Sequence, residues 1–401
     1  MVTSADQVGV RNEIDPFRIQ VPQRDIDDLN ARLDRIRRPD QLPGVGWTYG
    51  IPNDVLHALA KRWRHEYDWR QAEAQLNQWP QYTTVIDGAT VHFAHIVSPE
   101  QGAVPLLITH GWPGSLVEFI HVAGPLSNPS AHGAPGAQAF HLVMPSIPGF
   151  GFSGPTTSPG WGVHRIALAF GELMSRLGYT KYAVQGGDWG ATIGREVGRI
   201  RPNNVIGVHL NFMRWAAVWT EPTSAELNAL APYEREQVLA SWRRTERWNR
   251  DQSGYFLEQQ TRPQAIAHAL ADSPAGQLAW IGEKFHEWTD PTQGAWGGIS
   301  EDTILTNIAV YWFTNTAGSS ARIYYEFGLE DNSAKSSPTP TAVAIFPYDI
   351  ALPVRSIAER THNIVRWNTF EKGGHFAAME QPEILVTDIR EFFHGLLARK
   401  P

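Results

Sequence analysis

Five short, mostly apolar runs spaced along the chain constrain its fold more than any other feature. They are "VPLLIT" (104–109), "AFHLVMP" (139–145), "YAVQGG" (182–187), "NVIGVHLNF" (204–212) and "TAVAIFP" (341–347). Runs of this length without alternation read as strands covered on both faces. Helical stretches separate them, such as "IALAFGELMSRLG" (166–178), which Gly178 closes. "YTTVID" and "TVHFAHI", joined by Asp87-Gly88, predict a hairpin at the front of the set. "NIVRWNTF" predicts a late strand, and "PEILVTDIREFFHGLLA" a closing amphipathic helix. The pattern predicts an α/β protein with a mostly parallel central sheet and helices on both faces.

The alternation defines the organisation by where it stops. Residues 214–338 are rich in helix formers and tryptophan and lack a clear buried strand, so they are expected to form a helical lid inserted into the sheet domain. The core is then split into 81–213 and 339–401. Residues 1–80 read as a helical and irregular leading segment. Ile26, Leu29, Leu33 and Ile36 lie on one helical face there, and Pro39 ends it.

Composition excludes some functions. The formal net charge of −7 argues against a nucleic-acid surface. With no cysteine there is no disulfide framework and no thiolate chemistry, and a cytoplasmic location is expected. No apolar run approaches the ~20 residues of a membrane span. The opening "MVTSADQVGVRNEID" lacks a basic start and an apolar core, so no signal peptide is expected. No metal is expected either, because no H-E-x-x-H or clustered histidine spacing occurs.

The third run leads into "GGDWGA" (186–191), which has the shape of a nucleophile elbow with Asp188 where G-x-S-x-G places serine. By itself this aspartate could equally be the N-cap of the following helix. Its surroundings favour the elbow. In an α/β-hydrolase fold the loop after the strand "VPLLIT" supplies an oxyanion donor, and here that loop is His110-Gly111-Trp112-Pro113. "GGHFAAMEQPE" puts His375 in a glycine-flanked loop before the last helix, where that fold keeps its histidine. "AIFPYDIALP" offers Asp349 as the acid after a late strand. The earlier position, after "NVIGVHLNF", continues Asn211, Phe212, Met213, Arg214 and offers no carboxylate.

An aspartate at the elbow selects the chemistry. A serine attacking saturated carbon would form an ether, which a histidine-activated water cannot cleave. An aspartate forms an ester, which such a water can hydrolyse while backbone N–H groups hold the oxyanion. Epoxides and alkyl halides are the fitting substrates. An epoxide's alkoxide needs a proton donor, and a neutral tyrosine suits that task. A halide needs none. The lid carries Tyr255, Tyr311, Tyr324 and Tyr325, and spacing does not choose among them.

The chain resembles the microsomal-type epoxide hydrolases of the α/β-hydrolase superfamily. The likeness runs through "YDWRQAEAQLNQWPQYTTVIDGATVHFAH", "HGWPGS", "PSIPGFGFSGP", "GGDWGA", "ADSPAGQLAWIGEKFHEWTD", "YWFTNTAGSSARIYYE", "FPYDI" and "GGHFAAMEQPE". It implies Asp188 as nucleophile, His375 as base and Asp349 as the acid that orients it, where many members carry glutamate. It implies Tyr255 and Tyr324 as ring-opening donors, and the backbone N–H groups of Trp112 and Trp189 as the oxyanion hole. Trp112, Pro113, Trp189 and Phe376 are expected to line the pocket, and residues 1–80 to wrap the lid. No cofactor is implied, and the partners are an apolar epoxide and water. The mammalian members carry an N-terminal membrane anchor that this sequence lacks, so a soluble protein is expected, with a homodimer left open. The rival reading is a haloalkane or haloacid dehalogenase using the same aspartate. A serine esterase is disfavoured by the elbow residue itself.

Overall fold

The computed structural model describes residues 13–331 and 335–398. The opening stretch examined for a signal peptide therefore lies mostly outside the described residues. Nine strands form one sheet: β1 (Asp15–Phe17), β2 (Gln81–Ile86), β3 (Ala89–Ile96), β4 (Val104–Thr109), β5 (Phe140–Pro145), β6 (Tyr182–Gly186), β7 (Val205–Leu210), β8 (Ser337–Ile345) and β9 (His362–Thr369). Their order is β1-β2-β3-β5-β4-β6-β7-β8-β9. Pairing is antiparallel from β1 to β5 across the sheet and parallel from there to β9.

Each strand predicted from an apolar run is present. The hairpin turn falls at Asp87 and Gly88, both with positive φ (50° and 78°), as a tight two-residue connection requires. The apolar runs are continuous because both faces are covered. Leu106 and Ile108 of β4 face the cluster that holds Ile389 and Phe393, whereas Leu107 faces the one that holds Phe170 and Ile193. The closing helix Pro382–Leu397 thus covers one face, and the helices Val163–Arg176 and Asp188–Ile200 the other.

The segment after β7 is helical up to β8, with longer helices at Pro232–Asp251, Gly254–Thr261, Pro263–Asp272, Pro274–Glu287, Glu301–Thr314 and Ala317–Leu329. The leading segment packs on them. Arg62 bonds Asp302 at 2.8 Å, Arg32 pairs with Asp272 at 3.0 Å, and the Tyr67 hydroxyl meets Thr306 at 3.1 Å. The first helix spans Gln23–Leu33 and stops short of Ile36, which still packs against the core from the following turn. No helix among the described residues is long and apolar enough to cross a membrane.

Parallel strands share one carboxyl edge, and loops leaving that edge converge. Gly111-Trp112 follows β4, Asp188 follows β6, Asp349 follows β8 and His375 follows β9.

Candidate active site

Asp188 sits at the first turn of the helix Asp188–Ile200 with φ +48°, a left-handed conformation that a non-glycine residue adopts at a cost of about 1–3 kcal/mol. The cost is met by close packing that only glycine permits. A Cβ on Gly190 would lie 1.9 Å from the Thr109 carbonyl oxygen, and one on Gly111 would lie 2.3 Å from Asp188 Oδ1. Both glycines let the elbow and the β4 loop meet.

That approach delivers a donor. The Trp112 backbone N–H bonds Asp188 Oδ1 at 2.8 Å. The other carboxylate oxygen, Oδ2, lies 3.3 Å from His375 Nε2, which has no partner of hydrogen-bond geometry. On the far side of the ring, His375 Nδ1 meets Asp349 Oδ1 at 2.6 Å, and the same oxygen accepts the Ile350 N–H at 2.7 Å. Burial disfavours the imidazolium, but Asp349 and Asp188 outweigh it and raise the His375 pKa well above its ordinary value. The shorter aspartate therefore reaches the histidine without loss of the bond.

The four candidate tyrosines separate cleanly. Tyr325 is 41% exposed. The buried Tyr311 hydroxyl donates to the Gly114 carbonyl at 2.6 Å, so its proton holds the loop that follows β4. Tyr255 and Tyr324 line the same cavity as Asp188. Tyr255 stacks on Trp112 (4.9 Å, 6°), and Tyr324 stands edge-on to Trp189 (4.8 Å, 85°). Burial, then the Asp188 carboxylate, pushes Tyr255 well above an ordinary phenol. Burial, then Tyr255 and Asp188, does the same to Tyr324. Both remain neutral O–H donors.

The cavity measures about 520 Å³, within the range of small-molecule sites, and is walled largely by Phe212, Trp219, Trp248, Phe256 and Ile350. Trp189 belongs to this wall. Trp112 stands behind Tyr255, while Pro113 and Phe376 are not part of the wall; Phe376 stacks instead on Phe285 at 4.4 Å. A larger surface cleft of about 870 Å³ shares Trp248 and Ile350 as a partition and reaches Asp349, but Asp188 lines the smaller space and not this cleft. Among the described residues no three His, Asp or Glu side chains are placed to hold a metal ion.

Known proteins resemble this chain along nearly its whole length. Residues 14–119 match the family model described as the epoxide hydrolase N terminus, and residues 104–225 the one for the alpha/beta hydrolase fold. The chain is 34% identical to epoxide hydrolase 1 of Oryctolagus cuniculus, over 98% of this chain and 91% of that one. The chain belongs to the epoxide hydrolase family. It is also 44% identical to a protein of Stigmatella aurantiaca over 96% of this chain. The crystal structure of the juvenile hormone epoxide hydrolase of the silkworm Bombyx mori superposes with a TM-score of 0.87 at 30% identity, covering 97% of this chain and 96% of that one. The Aspergillus niger epoxide hydrolase gives 0.83 at 34% identity, covering 96% and 97%.

Three charged residues of this epoxide hydrolase site carried no sequence signal. Burial raises Glu118, whose carboxylate lies by the Gly111 N–H, to about 7. Burial likewise raises Glu380 to about 7, although it accepts the N–H groups of Asp290, Gly374 and Phe376 at 2.8–3.0 Å and so shapes the histidine loop. Arg214 lines the cavity itself. Only the tertiary packing distinguishes these three from ordinary surface charges.

Proposed function

We propose that this epoxide hydrolase converts epoxides to vicinal diols through an ester on Asp188. The observation that carries the reading is the facing of Asp188 by two buried, neutral phenols across one apolar cavity. Phenols suit an alkoxide, which needs a proton as it leaves, whereas a halide needs none.

Oδ2 is the attacking oxygen, because Oδ1 is held by the Trp112 N–H. As Oδ2 bonds to a ring carbon, the C–O bond breaks and its electrons go to the epoxide oxygen. Tyr255 and Tyr324 supply the proton. Oδ1 becomes the ester carbonyl and already accepts the Trp112 N–H, which, with that of Trp189, is to stabilise the later oxyanion. In the free enzyme two carboxylates hold His375 as imidazolium. Esterification removes the charge of Asp188, so the histidine's pKa falls; its proton returns through solvent to the phenolate left by ring opening, and the neutral imidazole becomes a base that takes a proton from water and passes it to the departing alkoxide. Water then adds to the ester carbonyl, the intermediate collapses, and the diol leaves with Asp188 restored.

The same reading divides the chain as the sequence suggested. The described residues of 1–80 pack on those of a lid spanning 214–338, and the described residues of 81–213 and 339–401 form the catalytic core. The ion pairs from Arg32 and Arg62 to the lid support the first assignment. The cysteine-free composition supports a cytoplasmic location.

His375→Gln tests the mechanism. It is expected to accumulate an enzyme heavier by the mass of one substrate, with the adduct on the peptide containing Asp188. One turnover of the wild type in 18O-water should label Asp188 and leave the diol unlabelled. Label in the first-turnover diol would refute the ester.

A further inference from the structure

Arg214 follows β7 where the chain enters the lid, and it lines the Asp188 cavity. It lies over the Phe327 ring at 4.6 Å and near Trp219 at 5.8 Å. Its side chain forms no ion pair and no hydrogen bond with any described residue. Three other partly buried arginines of the chain have polar partners. Arg195 bonds His362 and the Lys335 carbonyl, Arg244 bonds the carbonyls of Asp349 and Pro347, and Arg366 bonds Asp388. Asp188 does not need Arg214 as a partner, because the Trp112 N–H and His375 already serve it. Burial lowers the Arg214 pKa only to about 10, so it is a full cation at neutral pH.

A guanidinium carries five N–H donors, and leaving them unmatched in an apolar cavity is costly. Aromatic faces satisfy the charge in part and none of the hydrogen bonds. An acceptor that enters the cavity can supply the missing hydrogen bonds. A carboxylate matches the planar fork in a bidentate pair and carries one negative charge against one positive. A phosphate dianion would leave a charge uncompensated among Trp219, Phe256 and Ile350.

We propose that Arg214 is a substrate-binding residue, and that the preferred substrates are amphipathic epoxides bearing a carboxylate. This rests on the epoxide hydrolase reading above. The ring sits between Asp188 and the tyrosines, the apolar skeleton lies along the tryptophans, and the acid pairs with Arg214.

The test uses a series of epoxy acids with the carboxylate at increasing distance from the ring, each beside its methyl ester. Over the series, the wild type should favour the acid over the ester in kcat/KM by about tenfold or more at the matching length, as expected for a charge-assisted pair. Arg214→Gln should bring that ratio to about one, and Arg214→Lys should keep part of it. Three results would overturn the proposal: no preference for the acid at any length in the wild type; a preference unchanged in Arg214→Gln; or acid and ester slowed equally, which would make Arg214 an aid to ring opening. The wild-type comparison decides even if a variant does not fold. Failure of the wild type to hydrolyse any epoxide, charged or neutral, would instead sink the underlying activity.

Discussion

Gly111→Ala tests the approach between the oxyanion loop and the nucleophile. The added Cβ would sit 2.3 Å from Asp188 Oδ1, 2.4 Å from its Cβ and 2.7 Å from its Cγ, where real contacts stay above 3.0 Å. The loop or the carboxylate must therefore retreat by roughly 0.7 Å. Trp112 is the next residue, so retreat breaks its 2.8 Å bond to Oδ1. Loss of one oxyanion donor lowers the rate by about 10²–10³. Gly111 does not have a left-handed φ, so the fold bears only the overpacking, roughly 1–3 kcal/mol. Rapid-quench kinetics on the variant should show ester hydrolysis slowed by two to three orders of magnitude while the folding transition stays cooperative. Gly282→Ala is the control. Its nearest neighbour is Leu278 at 3.9 Å within the helix Pro274–Glu287, so activity should hold and stability rise by up to ~1 kcal/mol. Wild-type rates for both steps in Gly111→Ala would refute the claim that this contact builds the oxyanion site.

The remaining predictions concern other contacts. Tyr255→Phe and Tyr324→Phe should each slow the ring-opening step, by roughly 10²-fold or more, in single-turnover assays, with little change in melting temperature. Tyr311→Phe should do the opposite, costing about 1 kcal/mol of stability through its lost bond to Gly114. Asp388 accepts from His209 at 2.9 Å and from Arg366 at 2.6 Å; burial alone would raise its pKa, but these partners hold it at about 2. Its folded value is below its unfolded one, so it stabilises the fold above about pH 4 and ceases to as pH falls through about 2. Asp388→Asn should cost roughly 3 kcal/mol in urea melts at pH 7, and the deficit should narrow below pH 4.

The sheet was legible because strands covered on both faces leave uninterrupted apolar runs that nothing else in the chain imitates. The elbow was legible because its glycines are dictated by backbone contacts, as at Gly190 against Thr109. β1 was not, since a three-residue strand with Pro16 at its centre has no period to read. The lid tyrosines were ambiguous for a different reason. Spacing says where a ring sits on a helix, but only the fold says whether its hydroxyl is spent on a loop carbonyl, as in Tyr311, or its ring lines the cavity that holds Asp188, as in Tyr255. Arg214 was beyond reach for the same reason, because an arginine between β7 and a lid looks like any surface charge until its partners are sought.

The lid's grip on the catalytic loops has a consequence for how such proteins are rebuilt. Asn307 bonds the Pro113 carbonyl and Tyr311 that of Gly114, Arg244 bonds the carbonyls of Asp349 and Pro347, and the Trp288 carbonyl accepts the His375 N–H. The oxyanion, acid and histidine loops thus each end on a different lid element. The lid is consequently not an interchangeable module. Grafting another lid onto this core without matching these polar anchors would loosen all three loops, so a chimera of this chain has to carry loops and lid as a single block.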